Sequence, residues 1–359
     1  MPGVYPGSVG RYRGSAAGFP GNTQVMPSSD LVRIGLVGAG GVGARHARVL
    51  SGLANVAVVG VADPDDTAAV ALATRHGARA FPDAAALVDA LAPDALYVCV
   101  PPFAHGEPEA VAVEHGLALF VEKPLAADLA TAERVGASIA AAGLVTATGY
   151  HWRCLDTVQH ARALLDGRPT GLVAARWIDT VPPPAWWTTW TGSGGQMTEQ
   201  VTHLIDLVRY LGGEVTSVVA QGTALGHCGP GADIDEASVA ILRLAAGAVA
   251  TLTASCLGPD RQAAGLDVVA PGLGLELTED ELVVHDGEGT ARLRADVDPR
   301  REVDAGFVDL VRGGSFPAAV SYDEALRTHR VGCAVTTSAR EQREVSLAGA
   351  SQVGGAPSS

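Results

Sequence analysis

Lys123 is the only lysine of the chain, set against 24 arginines. Wherever a fixed positive charge suffices this sequence uses arginine. At one position it keeps a compact ammonium, a donor whose pKa burial and neighbours can tune. The residue follows the apolar run Leu117 to Val121 and precedes Pro124, which places it at the carboxyl end of a buried strand, where an open parallel sheet binds its ligands. The bland alternative is a surface lysine left by chance. A second group lies in the segment Gln196 to Leu211, read as one helix. Helical spacing puts Glu199, His203 and Asp206 at i, i+4 and i+7, on one face. Such a stripe faces solvent, binds a metal, or lets carboxylates orient a histidine base. No further ligands stand at recognisable metal spacing, so no metal site is expected.

The elements that must position these residues begin at Val32. Val32 to Val37 reads as a strand, and Gly38-Ala39-Gly40-Gly41-Val42-Gly43 leads it into the helical Ala44 to Leu50. This is G-x-G-x-x-G in its strand-turn-helix setting. Gly38 permits the tight turn, Gly40 lets backbone approach a pyrophosphate, and Gly43 lets helix and strand pack, with the helix N-terminus favouring the anion. The whole loop, Gly41 and Val42 included, is read as cofactor-binding. The next strand, Val56 to Ala62, ends in Asp63, placed to accept hydrogen bonds from an adenosine ribose and to repel a 2′-phosphate. No arginine follows in Pro64-Asp65-Asp66, so NAD is expected rather than NADP.

Alternation continues with helices over Ala68 to His76 and Ala84 to Leu91 and strands at Ala78 to Phe81 and Leu96 to Val100. Pro101-Pro102-Phe103-Ala104-His105 then forms a rigid turn whose backbone borders the cofactor; His105 either contacts it or sits in the first helical turn. The Lys123 strand, a helix over Leu129 to Ala142 and a strand at Val145 to Tyr150 complete six strands. After Tyr150 a strand at Leu172 to Asp179 precedes the loop Val181 to Gly195, too long for a mere connection. All five tryptophans, Trp152, Trp177, Trp186, Trp187 and Trp190, fall in this part of the chain. Indole stacks on the CH faces of sugars and cyclitols as well as in cores, and Trp187 is the candidate for a substrate pocket. The remainder is strand-rich with hairpin signals, Val215 to Ala220, Ser238 to Leu244, Ala248 to Ser255, Leu282 to His285 and Ala291 to Leu293, followed by helices over Val303 to Arg312 and Tyr322 to Ser338. An antiparallel sheet with one helical face offers the other to a partner, so a homodimer or homotetramer is expected.

A net charge of −14 and 47% hydrophobic residues argue for a folded protein that binds neither nucleic acid nor anionic membrane. No run reaches the ~18 apolar residues of a transmembrane helix. Five scattered cysteines, none in C-x-x-C spacing, suggest a reduced, cytoplasmic protein. Residues 1–31 carry six glycines and four prolines before position 31 and, like 348–359, read as disordered tails; Met26 is an alternative start. Two domains follow, 32–150 and 151–347.

Taken together, the glycine loop, Asp63, Pro101-Pro102 with His105, Glu122-Lys123-Pro124, Gly149-Tyr150 with Arg153, and Gly194-Gly195 leading to His203 and Asp206 resemble the glucose-fructose oxidoreductase and inositol dehydrogenase family, Gfo/Idh/MocA, over about Val32 to Leu347. The resemblance implies an α/β architecture: an N-terminal Rossmann domain with a doubly wound parallel sheet, then an α+β domain with a large open, mostly antiparallel sheet that binds substrate and builds the oligomer. It implies cofactor contacts from Glu122 and Lys123, substrate contacts from Tyr150, Arg153, Glu199, His203 and Asp206, and a cis bond before Pro124. It also implies that Lys123, His203 and Glu199 act on a substrate hydroxyl, Glu199 standing where the family's dehydrogenases usually carry aspartate. The expected activity is NAD-dependent oxidation of a secondary alcohol on a sugar or cyclitol. His203 would take the proton, Lys123 would steady the oxygen, and Glu199 and Asp206 would orient His203 or hold neighbouring hydroxyls. A redox-neutral hydrolase or lyase that uses NAD transiently, and a non-catalytic NAD sensor, are the alternatives.

Overall fold

The computed structural model describes residues 31–347; the two terminal tails and Met26 lie outside the described residues. A six-stranded parallel sheet comes first, built from β1 (Val32–Val37), β2 (Val56–Ala62), β3 (Arg79–Phe81), β4 (Ala95–Val98), β5 (Ala118–Val121) and β6 (Thr146–Thr148) in the order β3-β2-β1-β4-β5-β6. Helices α1 (Gly41–Leu50), α2 (Asp66–His76), α3 (Ala84–Leu91), α4 (Glu107–Glu114) and α5 (Leu129–Ala142) connect the strands. Buried on both faces, β4 and β5 are apolar throughout, as parallel strands covered on both sides must be. The order reverses between β1 and β4, so the loops after them open a crevice at their carboxyl ends.

The second sheet has nine strands. After α6 (Asp156–Leu165) come β7 (Leu172–Ile178), the short helices α7 (Trp190–Ser193) and α8 (Gln196–Glu199), and then α9 (Thr202–Gly212). Strands β8 (Val215–Thr223), β9 (Ala237–Leu244), β10 (Val249–Ser255), β11 (Ala263–Ala270), β12 (Leu273–Thr278), β13 (Glu281–Asp286) and β14 (Gly289–Arg294) follow, then α10 (Pro299–Val311), α11 (Tyr322–Glu341) and β15 (Val345–Ser346). Their order is β14-β13-β12-β11-β7-β10-β9-β8-β15, and the β7–β10 pair is parallel within an otherwise antiparallel sheet. Strict alternation of buried and outward residues along β9 gives one face to α9 and α11 and leaves the other open.

Three parts of this architecture depart from the sequence reading. Helix α6 and the β11–β12 hairpin occupy segments to which no element was assigned. The expected helix over Gln196 to Leu211 is interrupted at Gln200–Val201, where Val201 N–H reaches back five residues to the Gln196 carbonyl while Leu204 N–H reaches back only three, to Val201. Helix α9 then has every residue but Tyr210 buried, so its polar residues form no solvated stripe. Helices α10 and α11 return to the first sheet. Phe307 packs edge-on against Tyr97 and Phe120, and Tyr322 donates its hydroxyl to the Ala132 carbonyl in α5, so residues from the end of the chain complete the packing of 32–150.

Among the described residues the five cysteines are free. No helix there is long and apolar enough to cross a membrane, and no group of three His, Cys, Asp or Glu residues is arranged to hold a metal.

Candidate active site

A cleft of about 730 Å³ opens at the carboxyl ends of β1, β2, β4 and β5 and is closed on its far side by the start of α9, the end of β7 and the loop after it. Its cofactor half fits a dinucleotide. A Cβ on Gly38 would lie 2.3 Å from the Cys99 carbonyl oxygen, and one on Gly43 would lie 2.0 Å from that of Gly38. Those two glycines are fixed by packing. Around Gly40 and Gly41 a Cβ would meet nothing within 4 Å, which leaves a bare backbone cradle at the α1 N-terminus, with no side-chain cap. That is the surface a pyrophosphate needs. Asp63 lines the cleft beside it, its two carboxylate oxygens accepting from the amides of Ala39 at 2.7 Å and Asp65 at 2.9 Å. Val42, Pro101 and Pro102 also line the cleft. His105 does not: it is buried and held by Glu109 of α4, and it lies in the extended link before the Gly106 N-cap rather than in the first helical turn.

Below the cradle, Glu122 lines the cleft and is held by its neighbours. It takes Arg45 at 2.9 Å, His46 Nε2 at 2.8 Å and the Lys123 amide at 3.0 Å, while His46 Nδ1 meets Asp304 of α10 at 2.7 Å. Gly149 makes the room, since a Cβ there would fall 2.3 Å from the Glu122 carboxylate. Burial alone would lower His46, but Asp304 and then Glu122 outweigh it and lift the imidazole to about 9. Burial would likewise raise Glu122, yet His46, Arg45 and Lys123 hold it at about 2. The result is a buried salt link tying α1, β5 and α10 together.

Lys123 leaves β5 just before a cis peptide to Pro124 and crosses the cleft to the break between α8 and α9. There its ammonium donates to the Glu199 carboxylate and to the Glu199 carbonyl, each at 2.9 Å. Two of three donors are used, which leaves one for a ligand oxygen. The other Glu199 oxygen accepts from Trp187 Nε1 at 2.8 Å. Gly194 and Gly195 make this approach possible: both have positive φ, and a Cβ on Gly195 would lie 2.0 Å from the Trp190 ring.

His203 reaches the same cleft from α9. Trp152 and Trp177 lie beside each other near its ring, at 6.3 and 6.4 Å, with planes within 19° of it. His151 lies edge-on at 4.8 Å and Tyr150 at 5.9 Å. Neither ring nitrogen has a hydrogen-bond partner among the described residues, and Nδ1 is buried. Burial, then His151 and Lys123, push this imidazole well below its usual range, which favours its neutral form.

The expected orientation of His203 by Glu199 and Asp206 is therefore corrected. Glu199 serves Lys123 and Trp187. Asp206 is buried in a bidentate pair with Arg153, both contacts 2.7 Å, and also accepts from Thr328 at 3.0 Å; neither Arg153 nor Asp206 lines the cleft. Tyr150 and Trp187 stand behind the wall rather than on it, Tyr150 donating to or accepting from Thr202 at 2.8 Å. Trp152, Trp177 and Trp186 are the indoles on the wall, together with His151, Arg45, Arg261, Glu279 and Arg300, which the sequence reading did not single out. His151 had a signal: it follows β6 as Lys123 follows β5.

Residues 32–150 match the family model described as oxidoreductase family, NAD-binding Rossmann fold, and residues 158–285 match the GFO/IDH/MocA C-terminal domain. The chain belongs to the Gfo/Idh/MocA oxidoreductase family. It is 32% identical to an inositol 2-dehydrogenase of Rhizobium meliloti (strain 1021) over 62% of this chain and 68% of that protein. It is 26% identical to a myo-inositol 2-dehydrogenase of Thermotoga maritima over 88% of this chain and 98% of that one. Other members match as well, among them a 2,7-anhydro-N-acetylneuraminate hydratase of Escherichia coli (strain K12), 27% identical over 62% and 61% of the two chains. Levoglucosan dehydrogenase, solved with NADH and levoglucosan, shares the fold with a TM-score of 0.79 at 19% identity, covering 89% of this chain and 100% of that one. In Gfo/Idh/MocA terms the cleft is lined by both the NAD-binding part and the C-terminal part, and Lys123 and His203 both line it.

Proposed function

We propose that this Gfo/Idh/MocA protein is a dehydrogenase that interconverts a secondary alcohol and a ketone on a sugar or cyclitol, with NAD preferred to NADP. The observation that carries the reading is the convergence of a lysine with one free donor and a neutral histidine beside the glycine cradle. Bound NAD supplies the hydride acceptor. His203 takes the hydroxyl proton, for which a neutral imidazole is the competent form. The third Lys123 N–H donates to the same oxygen and steadies its developing charge. Trp152 and Trp177 offer apolar faces to the CH face of the ring. Asp63, already tied to the Ala39 and Asp65 amides, presents negative charge where a 2′-phosphate would sit, which supports NAD over NADP.

The inositol dehydrogenases among its relatives support a polyol substrate. The hydratase relative favours one second reading, a redox-neutral reaction through a transient ketone on the same residues. Absorbance at 340 nm with NAD or NADP and a panel of inositols, aldoses and amino sugars separates them. A rise with NAD and one polyol class is expected; product formation without net absorbance change favours the second reading, and neither outcome with any sugar ends both.

The open sheet face exposes Val219, Val239, Ile241 and Val249 on adjacent strands, which supports self-association in solution. Five free thiols support a reducing, cytoplasmic setting.

A further inference from the structure

Two of the five thiols meet. Cys228 Sγ and Cys256 Sγ lie 3.8 Å apart, in contact but unbonded. Cys228 is half-buried in the loop 224–236 between β8 and β9, and Cys256, the residue after β10, is fully buried. The other three cysteines stand elsewhere: Cys99 and Cys154 beside the first sheet, Cys333 against His329 of α11. Thiols brought together from separate segments either fill space as small apolar side chains or exchange with a disulfide.

What surrounds the pair gives the exchange a consequence. Buried Glu236 accepts from the amides of Leu225 and Cys228 and gives its carbonyl to the Cys256 amide at 3.0 Å. Asp233 ties the same loop twice to the tryptophan-rich one: its amide donates to the Thr188 carbonyl at 3.1 Å, and its carboxylate accepts from the Trp190 amide at 2.7 Å. Ile234, Cys256 and Trp187 form a small buried cluster, against which Cys228, Trp186 and Trp190 pack. Trp187 in turn holds Glu199, and Glu199 holds Lys123. Around Cys228 the loop has freedom to shift: Gly226, Gly229 and Gly231 all have positive φ, and a Cβ on any of them would meet nothing within 4 Å.

We propose that Cys228 and Cys256 are a reversible redox site, at which a low-molecular-weight disulfide oxidises the pair and the new S–S bond shifts loop 224–236 and, with it, the residues on either side of Trp187. Cys228, the more accessible thiol, loses its proton to water and attacks one sulfur of the small disulfide, whose S–S bond breaks and releases one thiol. Cys256 then loses its proton and attacks Cys228 Sγ, forming the protein disulfide and releasing the second thiol. Two protein thiols are oxidised and one small disulfide is reduced; excess small thiol reverses both steps. Burial, then Cys256 and Glu236, push the Cys228 thiol up to about 12, and burial raises Cys256 as well. Thiolate is therefore scarce near neutral pH, and the pair follows the thiol–disulfide balance slowly instead of answering a burst of peroxide. Bonded sulfurs lie about 2.05 Å apart, so the 3.8 Å contact closes by roughly 1.7 Å. Cys256 is anchored at the end of β10, which leaves Cys228 to move, and its loop pulls through Asp233 on Thr188 and Trp190. The covalent step stands whatever the cleft catalyses; only its effect on rate rests on the dehydrogenase reading.

The test takes the full chain, reduces it, and equilibrates it with oxidised glutathione at about pH 8.5 to raise the thiolate fraction. Two of the five thiols are expected to be lost, a peptide map is expected to link Cys228 to Cys256, and tryptophan emission is expected to change as the link forms. In turnover kcat is expected to fall about threefold or more, the cost of displacing a group that positions Lys123, with NAD affinity unchanged. Reductant should restore both emission and rate. Cys228→Ser should keep the emission and rate of the reduced protein and form no internal link, while Cys333→Ser should respond as the wild type does. No loss of thiols, a link between other cysteines, or glutathione held on Cys228 without reaction of Cys256 overturns the proposal. A Cys228–Cys256 link that changes neither emission nor rate also overturns it, because the shift beside Trp187 is then absent. If no sugar is turned over at all, the dehydrogenase reading falls, and a mapped link with a reversible change of emission upholds the redox site.

Discussion

Lys123 and His203 reach one cleft from opposite halves of the chain, and different forces hold them there. Lys123 is wired: its ammonium is fixed by two bonds to Glu199, and Glu199 is fixed in turn by Trp187. His203 is boxed: four rings surround it and no hydrogen bond to the described residues orients it. Hydrogen bonds hold a charged donor in place while leaving one N–H for the ligand. Packing alone holds an imidazole whose charged form its surroundings oppose, which keeps it in the neutral form that the proposed role as a base requires. Under the proposed dehydrogenase reading, the wired lysine steadies charge and the boxed histidine takes the proton.

The largest effect is expected from Lys123→Arg. The variant should fold and bind NAD, yet initial rates at 340 nm should fall by roughly 10²–10⁴-fold, because a planar fork cannot hold both Glu199 contacts and aim a third donor at the same oxygen. Wild-type rates would remove Lys123 from the chemistry. His203→Gln comes next, with a loss on the order of 10²-fold. Because the wild-type imidazole titrates well below 6.5, the rate should show no His203 limb between pH 6.5 and 8, and such a limb, abolished by His203→Gln, would break the picture of a boxed neutral base. Trp187→Phe keeps the ring but deletes its bond to Glu199; a drop of roughly three- to tenfold in kcat is expected, matching the ~1 kcal/mol of one hydrogen bond, with NAD affinity unchanged.

The smallest effect on rate, and a clear one on stability, is expected at His46. Its pKa is raised from 6.5 to about 9, so its contribution is full below pH 6.5 and is lost as pH rises through 9. Glu122, lowered from 4.5 to about 2, contributes fully above pH 4.5 and loses it as pH falls toward 2. The link they share should be strongest between about pH 4.5 and 6.5 and supply roughly 2–3 kcal/mol there. Melting midpoints across pH 5 to 10 should decline on the alkaline side in the wild type, and His46→Gln should flatten that decline.

How much of this was legible depends on how local the cause was. The glycine loop, Asp63 and the strand ends of the first sheet are set by neighbours within a few dozen residues, and periodicity with turn chemistry exposes them. Lys123 was legible through its singularity. The break at Gln200–Val201 was not, because the carbonyl it frees is claimed by a lysine 76 positions earlier. Nor was the fate of Asp206: helical spacing gives its side of the helix, but Arg153 and Thr328, from distant segments, decide that it is structural. The β11–β12 hairpin went unread because Ala263, Ala264 and Gly265 open it without the β-branched or aromatic residues that mark a strand.

The return of α10 and α11 to the first sheet bears on how the protein is made. A ribosome that has just released residue 150 has produced all six parallel strands, yet Tyr97 and Phe120 still await Phe307, and Thr148 awaits the Val320 carbonyl. The nucleotide-binding half is translated first and finished last. Its nascent form must persist with an uncovered aromatic patch while some 150 further residues emerge, about 8–30 s at ordinary elongation rates, a span in which a chaperone has a defined surface to guard.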